Sequence, residues 1–195
     1  MTRPVAVAIT GGIGSGKSEA LKAFARHGAA TVSSDEIVHH LLRHSDVRDK
    51  IVERVGNGVV GPDGEIDRTA LATTVFNDRE ALAFLEQLLH PLVAAEYLKW
   101  RDDLARLPNP PGVCVTEVPL LYEVGGETRF DKVVVITAPT KLRRARSEVV
   151  VDERDGRFLP EREKVSRADF AFSNTGTLDE LDAFVEAVMR ELQPG

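Results

Sequence analysis

A chain of 195 residues, 43% hydrophobic and 29% charged, is long enough to bury a core and has the balance of an ordinary globular domain with room for a subdomain insertion. Its net charge of −6 and its single cysteine argue against a general nucleic-acid or anionic-membrane binder, a disulfide framework and a cysteine-rich metal site. No stretch approaches the roughly eighteen apolar residues of a membrane helix, and the apolar run after Arg3-Pro4 is too short for a signal-peptide core, so a cytoplasmic location is expected.

The first element, Val5-Ala6-Val7-Ala8-Ile9-Thr10, is near-continuously apolar, as a strand buried on both faces of a parallel sheet requires. Directly after it, Gly11-Gly12-Ile13-Gly14-Ser15-Gly16-Lys17-Ser18 fits the phosphate-loop pattern G-x-x-x-x-G-K-[ST] at every fixed position, and Glu19 to Arg26 reads as a helix. Strand, loop and helix together point to a nucleoside triphosphate site rather than a glycine-rich turn. Gly12, Ile13, Gly14, Ser15 and Gly16 turn their N–H groups inward at phosphate oxygens, and the helix offers its positive N-terminal end to the same anion. Lys17 is predicted to reach the β and γ phosphates and Ser18 to ligate Mg²⁺ through its hydroxyl.

A second strand is predicted at Ala29 to Ser33. Asp35, just beyond it, reads either as a helix N-cap or as a carboxylate at the cleft mouth, because ligands of open α/β sheets collect at the carboxyl ends of the strands. Helical patterns follow at 35–44, 46–54, 68–75 and 79–106, and Pro91 is expected to kink the last of them. So long a segment without a strand exceeds a single crossover and predicts an α-helical, acceptor-binding insertion over 35–111. The breaker Pro108-Asn109-Pro110-Pro111-Gly112 ends it.

The third strand, Val113 to Val118, holds Cys114, read as a small buried hydrophobe, and Glu117, which is either a solvated strand end or a Walker-B carboxylate for Mg²⁺. Lys132 to Thr137 is a fourth strand. The basic stretch Lys141-Leu142-Arg143-Arg144-Ala145-Arg146 after it reads as part of a lid over 138–166 whose arginines face a phosphoryl group, or as a solvated face. A fifth strand at Asp169 to Ser173 and a helix from Leu178 to Leu192 complete the chain. The predicted architecture is α/β: a P-loop NTPase three-layer fold with a parallel sheet of about five strands, a core of 1–34 and 112–195, the helical insertion and a short helical lid.

At these motifs the chain resembles the dephospho-coenzyme A kinase family of P-loop phosphotransferases. The matching pieces, in family order, are Thr10 to Ser18, Ser34-Asp35-Glu36-Ile37, Asp63 to Leu71 with its Gly-x-Ile-Asp-Arg element, His90-Pro91, Glu117-Val118-Pro119-Leu120-Leu121-Tyr122-Glu123, and Lys164 to Asp169 leading to Asn174-Thr175-Gly176. The resemblance implies transfer of the γ-phosphoryl of ATP to the ribose 3′-hydroxyl of dephospho-coenzyme A, with Mg²⁺, by a monomer or weak homo-oligomer that needs no nucleic acid and no membrane. It implies Asp35 as the base or orienting group for the acceptor hydroxyl, Arg68, His90, Pro119 and Leu120 on the acceptor side, and Asn174 near the adenine. Arg144 matches the family's lid arginine best by its spacing from Lys141, with Arg143, Arg146 and Arg154 as alternatives. The chain departs from the family at Glu19, where a small or hydroxyl residue is usual, and in a shorter lid with Glu148 in place of a second arginine and Phe158 in place of a glutamine. Two other functions stay open on the residues: a P-loop kinase for another small alcohol or nucleoside, and a nonenzymatic nucleotide-binding regulator.

Overall fold

The computed structural model describes residues 3–76, 78–146 and 159–193. In chain order its elements are β1 (Val5–Thr10), α1 (Lys17–Arg26), β2 (Ala30–Ser33), α2 (Ser34–Leu41), α3 (Ser45–Val55), α4 (Arg68–Phe76), α5 (Arg79–Ala105), β3 (Val113–Glu117), β4 (Lys132–Thr137), α6 (Thr140–Arg146), α7 (Glu161–Arg167), β5 (Phe170–Ser173) and α8 (Leu178–Leu192). The chain divides into two compact units, residues 1–34 with 101–195, and residues 35–100.

The larger unit is built on a five-stranded, all-parallel sheet in the order β2-β3-β1-β4-β5. The three inner strands are buried along nearly their whole length, which is why their sequences are apolar without alternation, whereas the edge strand β5 alternates half-buried and exposed positions. Side chains leave the pleat on alternate faces. Val7, Ile9, Val113, Val115, Val134 and Ile136 pack on one face with Ala20, Ala23 and Phe24 of α1 and with Leu181, Val185, Val188 and Met189 of α8. Ala8, Val133 and Val135 take the other face with Leu121 and Tyr122. The amphipathic α8 is fixed at its start by a capping box: Thr177 accepts from the Glu180 backbone and Glu180 accepts from the Thr177 backbone. Cys114 is fully buried in β3, and desolvation pushes its thiol up to about 11, the state of an inert small hydrophobe.

The smaller unit is helical and packs Ile37, Leu41, Leu42, Val47, Ile51, Val59, Leu71, Val75 and Ala81 out of solvent. Between α3 and α4 an antiparallel bridge joins Val60 to Ile66 across a tight turn, with Gly61 N–H donating to the Glu65 carbonyl at 2.8 Å. Asp67 then caps α4, its Oδ1 accepting from Thr69 N at 2.8 Å and Ala70 N at 3.0 Å. The Gly-x-Ile-Asp-Arg element is thereby a turn, a buried anchor, a cap and an exposed arginine in succession. Asp78 caps α5 in the same way, and its carboxyl is held below the usual carboxylate range chiefly by the Ala81 N–H it accepts. The helix α5 runs through Pro91 as one continuous helix. The unit boundary falls inside α5, between Trp100 and Arg101, rather than in the proline-rich breaker that follows it.

Candidate active site

The register of the sheet assembles the site. Ile9 of β1 pairs with Glu117 of β3, so the carboxylate at the end of β3 lies beside the point where β1 opens into the glycine loop. Val118 N–H donates to the Ile9 carbonyl at 2.8 Å and Thr10 Oγ1 donates to the Pro119 carbonyl at 3.2 Å, stitching the two strand ends together. Glu117 is buried, and three groups address it: Ser18 Oγ donates to its Oε2 at 3.0 Å, the Lys17 ammonium lies 3.9 Å from its Oε1, and Ser34 Oγ donates to its backbone carbonyl at 2.7 Å. Lys17 is itself buried and donates from Nζ to the Gly12 carbonyl at 3.1 Å. Burying an ammonium and a carboxylate costs least when each has an opposite charge and a hydrogen bond beside it, and here Lys17 has Glu117 and the Gly12 carbonyl while Glu117 has Lys17 and Ser18.

At Gly16 the backbone itself demands glycine. Gly16 has φ of 101°, and a Cβ there would lie 2.3 Å from Asn174 Nδ2. That close approach lets the buried Asn174 amide donate to the Ser15 carbonyl at 2.8 Å while its own backbone N–H donates to Thr137 at 2.7 Å, pinning the loop to the end of β4. At Gly12 a Cβ would lie 2.4 Å from Arg143 Nη1. Arg143 is buried, its backbone carbonyl crowds Gly14, and its Nε lies 3.7 Å from Glu161 Oε1. Glu19 in the first turn of α1 is paired with Lys22 at 2.8 Å on the exposed side of that helix.

A second buried ion pair lies in the same unit. Lys164 Nζ is 2.5 Å from Glu123 Oε1, and that oxygen also accepts from Leu159 N at 3.1 Å. One turn on in α7, the Arg167 guanidinium lies 4.4 Å over the Tyr122 ring and pairs with Glu127, while burial holds the Tyr122 hydroxyl above its usual range.

The arrangement is a phosphate cradle with a buried lysine, a hydroxyl and carboxylate that meet, and an arginine lying over the glycines. Residues 5–180 match the family model described as dephospho-CoA kinase. A dephospho-CoA kinase of Symbiobacterium thermophilum is 39% identical over 192 residues, covering 94% of this chain and 80% of that protein. The chain belongs to the dephospho-CoA kinase family. Among solved structures, TT1252 from Thermus thermophilus superposes with a TM-score of 0.76 at 33% identity, covering 98% of this chain and 100% of that one. The dephospho-CoA kinase from Campylobacter jejuni superposes with a TM-score of 0.69 at 25% identity, covering 97% and 98%. Membership does not favour either alternative function, another small-molecule kinase or a nonenzymatic regulator.

Within this kinase the larger unit brings Gly12, Ile13, Gly14, Ser15, Gly16, Lys17, Ser18, Glu117 and Asn174 to one strand-end cluster, with Pro119 and Leu120 half-buried in the turn that follows Glu117. In the smaller unit Asp35 is exposed in the first turn of α2, directly after Ser34, while Arg68 is exposed at the start of α4 and His90 is exposed on α5. Arg144 is exposed on α6, and its neighbour Arg143 is the arginine turned onto the loop. Arg146 donates from Nη1 to the Asn174 carbonyl at 3.5 Å. Arg154, Glu148 and Phe158 lie outside the described residues, as does the middle of the 138–166 lid. Sequence reasoning did not find Glu161 beside Arg143 or the Glu123–Lys164 pair.

Two oxygen donors of the kind Mg²⁺ prefers, the Ser18 hydroxyl and the Glu117 carboxylate, meet within 3.0 Å at the loop, so the donor set fits that ion. Among the described residues no group of three or more histidine, cysteine, aspartate or glutamate side chains forms a protein-only cage. Such a sparse donor set suits an ion whose remaining ligands are phosphates and water.

Proposed function

We propose that this kinase transfers the γ-phosphoryl of ATP to the ribose 3′-hydroxyl of dephospho-coenzyme A, releasing ADP and coenzyme A in the last step of coenzyme A synthesis. The observation that carries the reading is the cradle at Gly12 to Ser18 with Lys17 against the Gly12 carbonyl, in a chain whose family match spans residues 5–180.

The attacking 3′-oxygen forms the new bond to the γ-phosphorus as the bond to the β,γ-bridging oxygen breaks, and the hydroxyl proton passes to a carboxylate. Asp35 takes that proton: an exposed carboxylate in the first turn of α2 is open to an acceptor, and the family resemblance assigns it. Lys17 and the loop N–H groups hold the polyphosphate, and Arg143, with its Nη1 over Gly12, faces the charge that develops on the transferring group. Ser18 and Glu117 would hold Mg²⁺, which when bound neutralises charge on the β and γ oxygens. Little covalent chemistry is asked of the protein, so positioning and charge stabilisation supply the rate. Arg68, His90, Pro119 and Leu120 are assigned to the acceptor side. The segment around Asn174 is assigned to the adenine end, the Asn174 side-chain amide itself being engaged by the Ser15 carbonyl. No helix among the described residues is long and apolar enough to cross a membrane; a cytoplasmic location and a monomeric or weakly homo-oligomeric state belong to this proposal through the family resemblance.

The test is steady-state turnover with ATP, Mg²⁺ and dephospho-coenzyme A. Lys17→Ala is expected to lower kcat/KM at least about 100-fold, the scale of removing one preorganised charge from the transition state. Asp35→Asn should lower kcat by about 10²- to 10⁴-fold, the range of general-base catalysis. Parent-like rates in either variant contradict the assignment of that residue.

A further inference from the structure

Arg143 cannot find its place on the loop by its own chemistry alone. A guanidinium has five donors in a rigid fork, on a long side chain with many rotamers, and it is buried here at 7% exposure. What sets its direction is the division of its nitrogens. Nε lies 3.7 Å from Glu161 Oε1, Nη2 donates to Thr140 Oγ1 at 3.4 Å, and Nη1 lies over Gly12. The Gly12 carbonyl accepts from Lys17 Nζ at 3.1 Å, and a phosphate-loop lysine reaches the β and γ phosphates, so the Nη1 edge is on the γ side of the cradle. Glu161 Oε1 lies 3.2 Å from the Cβ position at Gly12, so the carboxylate and the guanidinium are stacked against the same spot of the loop.

We propose that Glu161, the first residue of α7, is a positioning residue for phosphoryl transfer: its carboxylate holds the Nε edge of Arg143 so that Nη1 is presented to the transferring group. This rests on the reading of Arg143 given above. The carboxylate compensates the buried positive charge before nucleotide arrives and fixes the fork when it does, and an arginine aimed in advance loses no ordering free energy at the transition state. Because Glu161 acts through Arg143, it changes kcat and leaves ground-state binding of ATP nearly alone.

The experiment is a double-mutant cycle on the full chain with ATP and Mg²⁺, reading kcat and the KM for ATP, with thermal melting to report folding. Glu161→Ala is expected to lower kcat about tenfold with KM for ATP within about threefold, and Glu161→Gln, which keeps the shape but removes the countercharge of a 3.7 Å ion pair, to lose about as much. Arg143→Ala is expected to lower kcat more, by about 10³-fold. In the Arg143→Ala background Glu161→Ala should cost nothing further, since two residues acting as a unit are not additive. Parent-like kcat in Glu161→Ala, an effect confined to KM, or losses that multiply in the double variant would each overturn the proposal. Parent-like kcat in Arg143→Ala would remove its foundation and overturn it as well. Failure of the parent to phosphorylate dephospho-coenzyme A would instead refute the proposed function, and the same four proteins, read by ATP hydrolysis with water as acceptor, would still decide on Glu161.

Discussion

At the residue scale the site depends on atoms that are missing. Gly16 has a φ open to glycine and faces the Asn174 amide at a separation no Cβ tolerates, so Gly16→Ala both strains the backbone and pushes Asn174 off the Ser15 carbonyl. Backbone strain of this kind costs about 1–3 kcal/mol and a lost buried hydrogen bond about 1 more. Urea unfolding should show a loss in that range, and calorimetric titration with ADP should show weaker binding. Unchanged stability with unchanged affinity would contradict the assigned role of the loop. The gathering of the glycines, Lys17 and Ser18 in one loop was legible because the phosphate-loop pattern sets residue types at fixed spacing, whereas Glu117, open between a solvated strand end and a Walker-B carboxylate, is buried and accepts from Ser18. Spacing from Lys141 favoured Arg144, but in the fold it is Arg143 that lies against Gly12 and Gly14 while Arg144 is exposed, since adjacent residues on a helix point about 100° apart and spacing does not show which one the packing of α6 turns inward. Glu161 carries no local signal at all, because its partner is distant in the chain.

Elements built from one kind of interaction were legible, and those joined by pairs remote in sequence were not. The inner strands showed as apolar runs because burial on both faces leaves no alternation, and α8 showed because its apolar stripe meets a single sheet face. The helix α1 starts at Lys17 rather than Glu19, since loop and helix share their first turn. The anchoring of α7 was hidden: Lys164 and Glu123 lie in two recognised motifs, yet nothing in either announces that they form one buried pair. Removing one partner leaves the other charged and buried, so Glu123→Ala should destabilise the protein by about 3–5 kcal/mol. Replacing both together, Glu123→Leu with Lys164→Met, should cost far less, because apolar residues of similar volume need no counter-charge. Denaturant midpoints of the three proteins check this, and a Glu123→Ala loss below about 1 kcal/mol would refute it.

For the whole molecule, surface carboxylates set the response to acid. Asp131 is held below the usual range by the hydrogen bond from Arg3 and also accepts from Ala6 N–H, and Asp182 is held down by Arg26 and His27. A carboxyl whose folded pKa is depressed contributes stability above its unfolded value of about 3.9, and that contribution is lost as pH falls toward the folded value. The urea midpoint should therefore decline between about pH 5 and pH 3, and a flat midpoint across that window would contradict these pairings. The insertion was legible as helical because so long a segment between two strands exceeds any crossover, but the limit of its compact unit inside α5 was not, since a continuous helix carries no mark where its packing partners change. One measurement bears most directly on what the assembled molecule does: chromatographic identification of the product after incubation with ATP, Mg²⁺ and dephospho-coenzyme A. Coenzyme A accumulating in step with ADP is the predicted result, and dephospho-coenzyme A recovered unchanged under conditions where the protein is folded and binds ATP would contradict it.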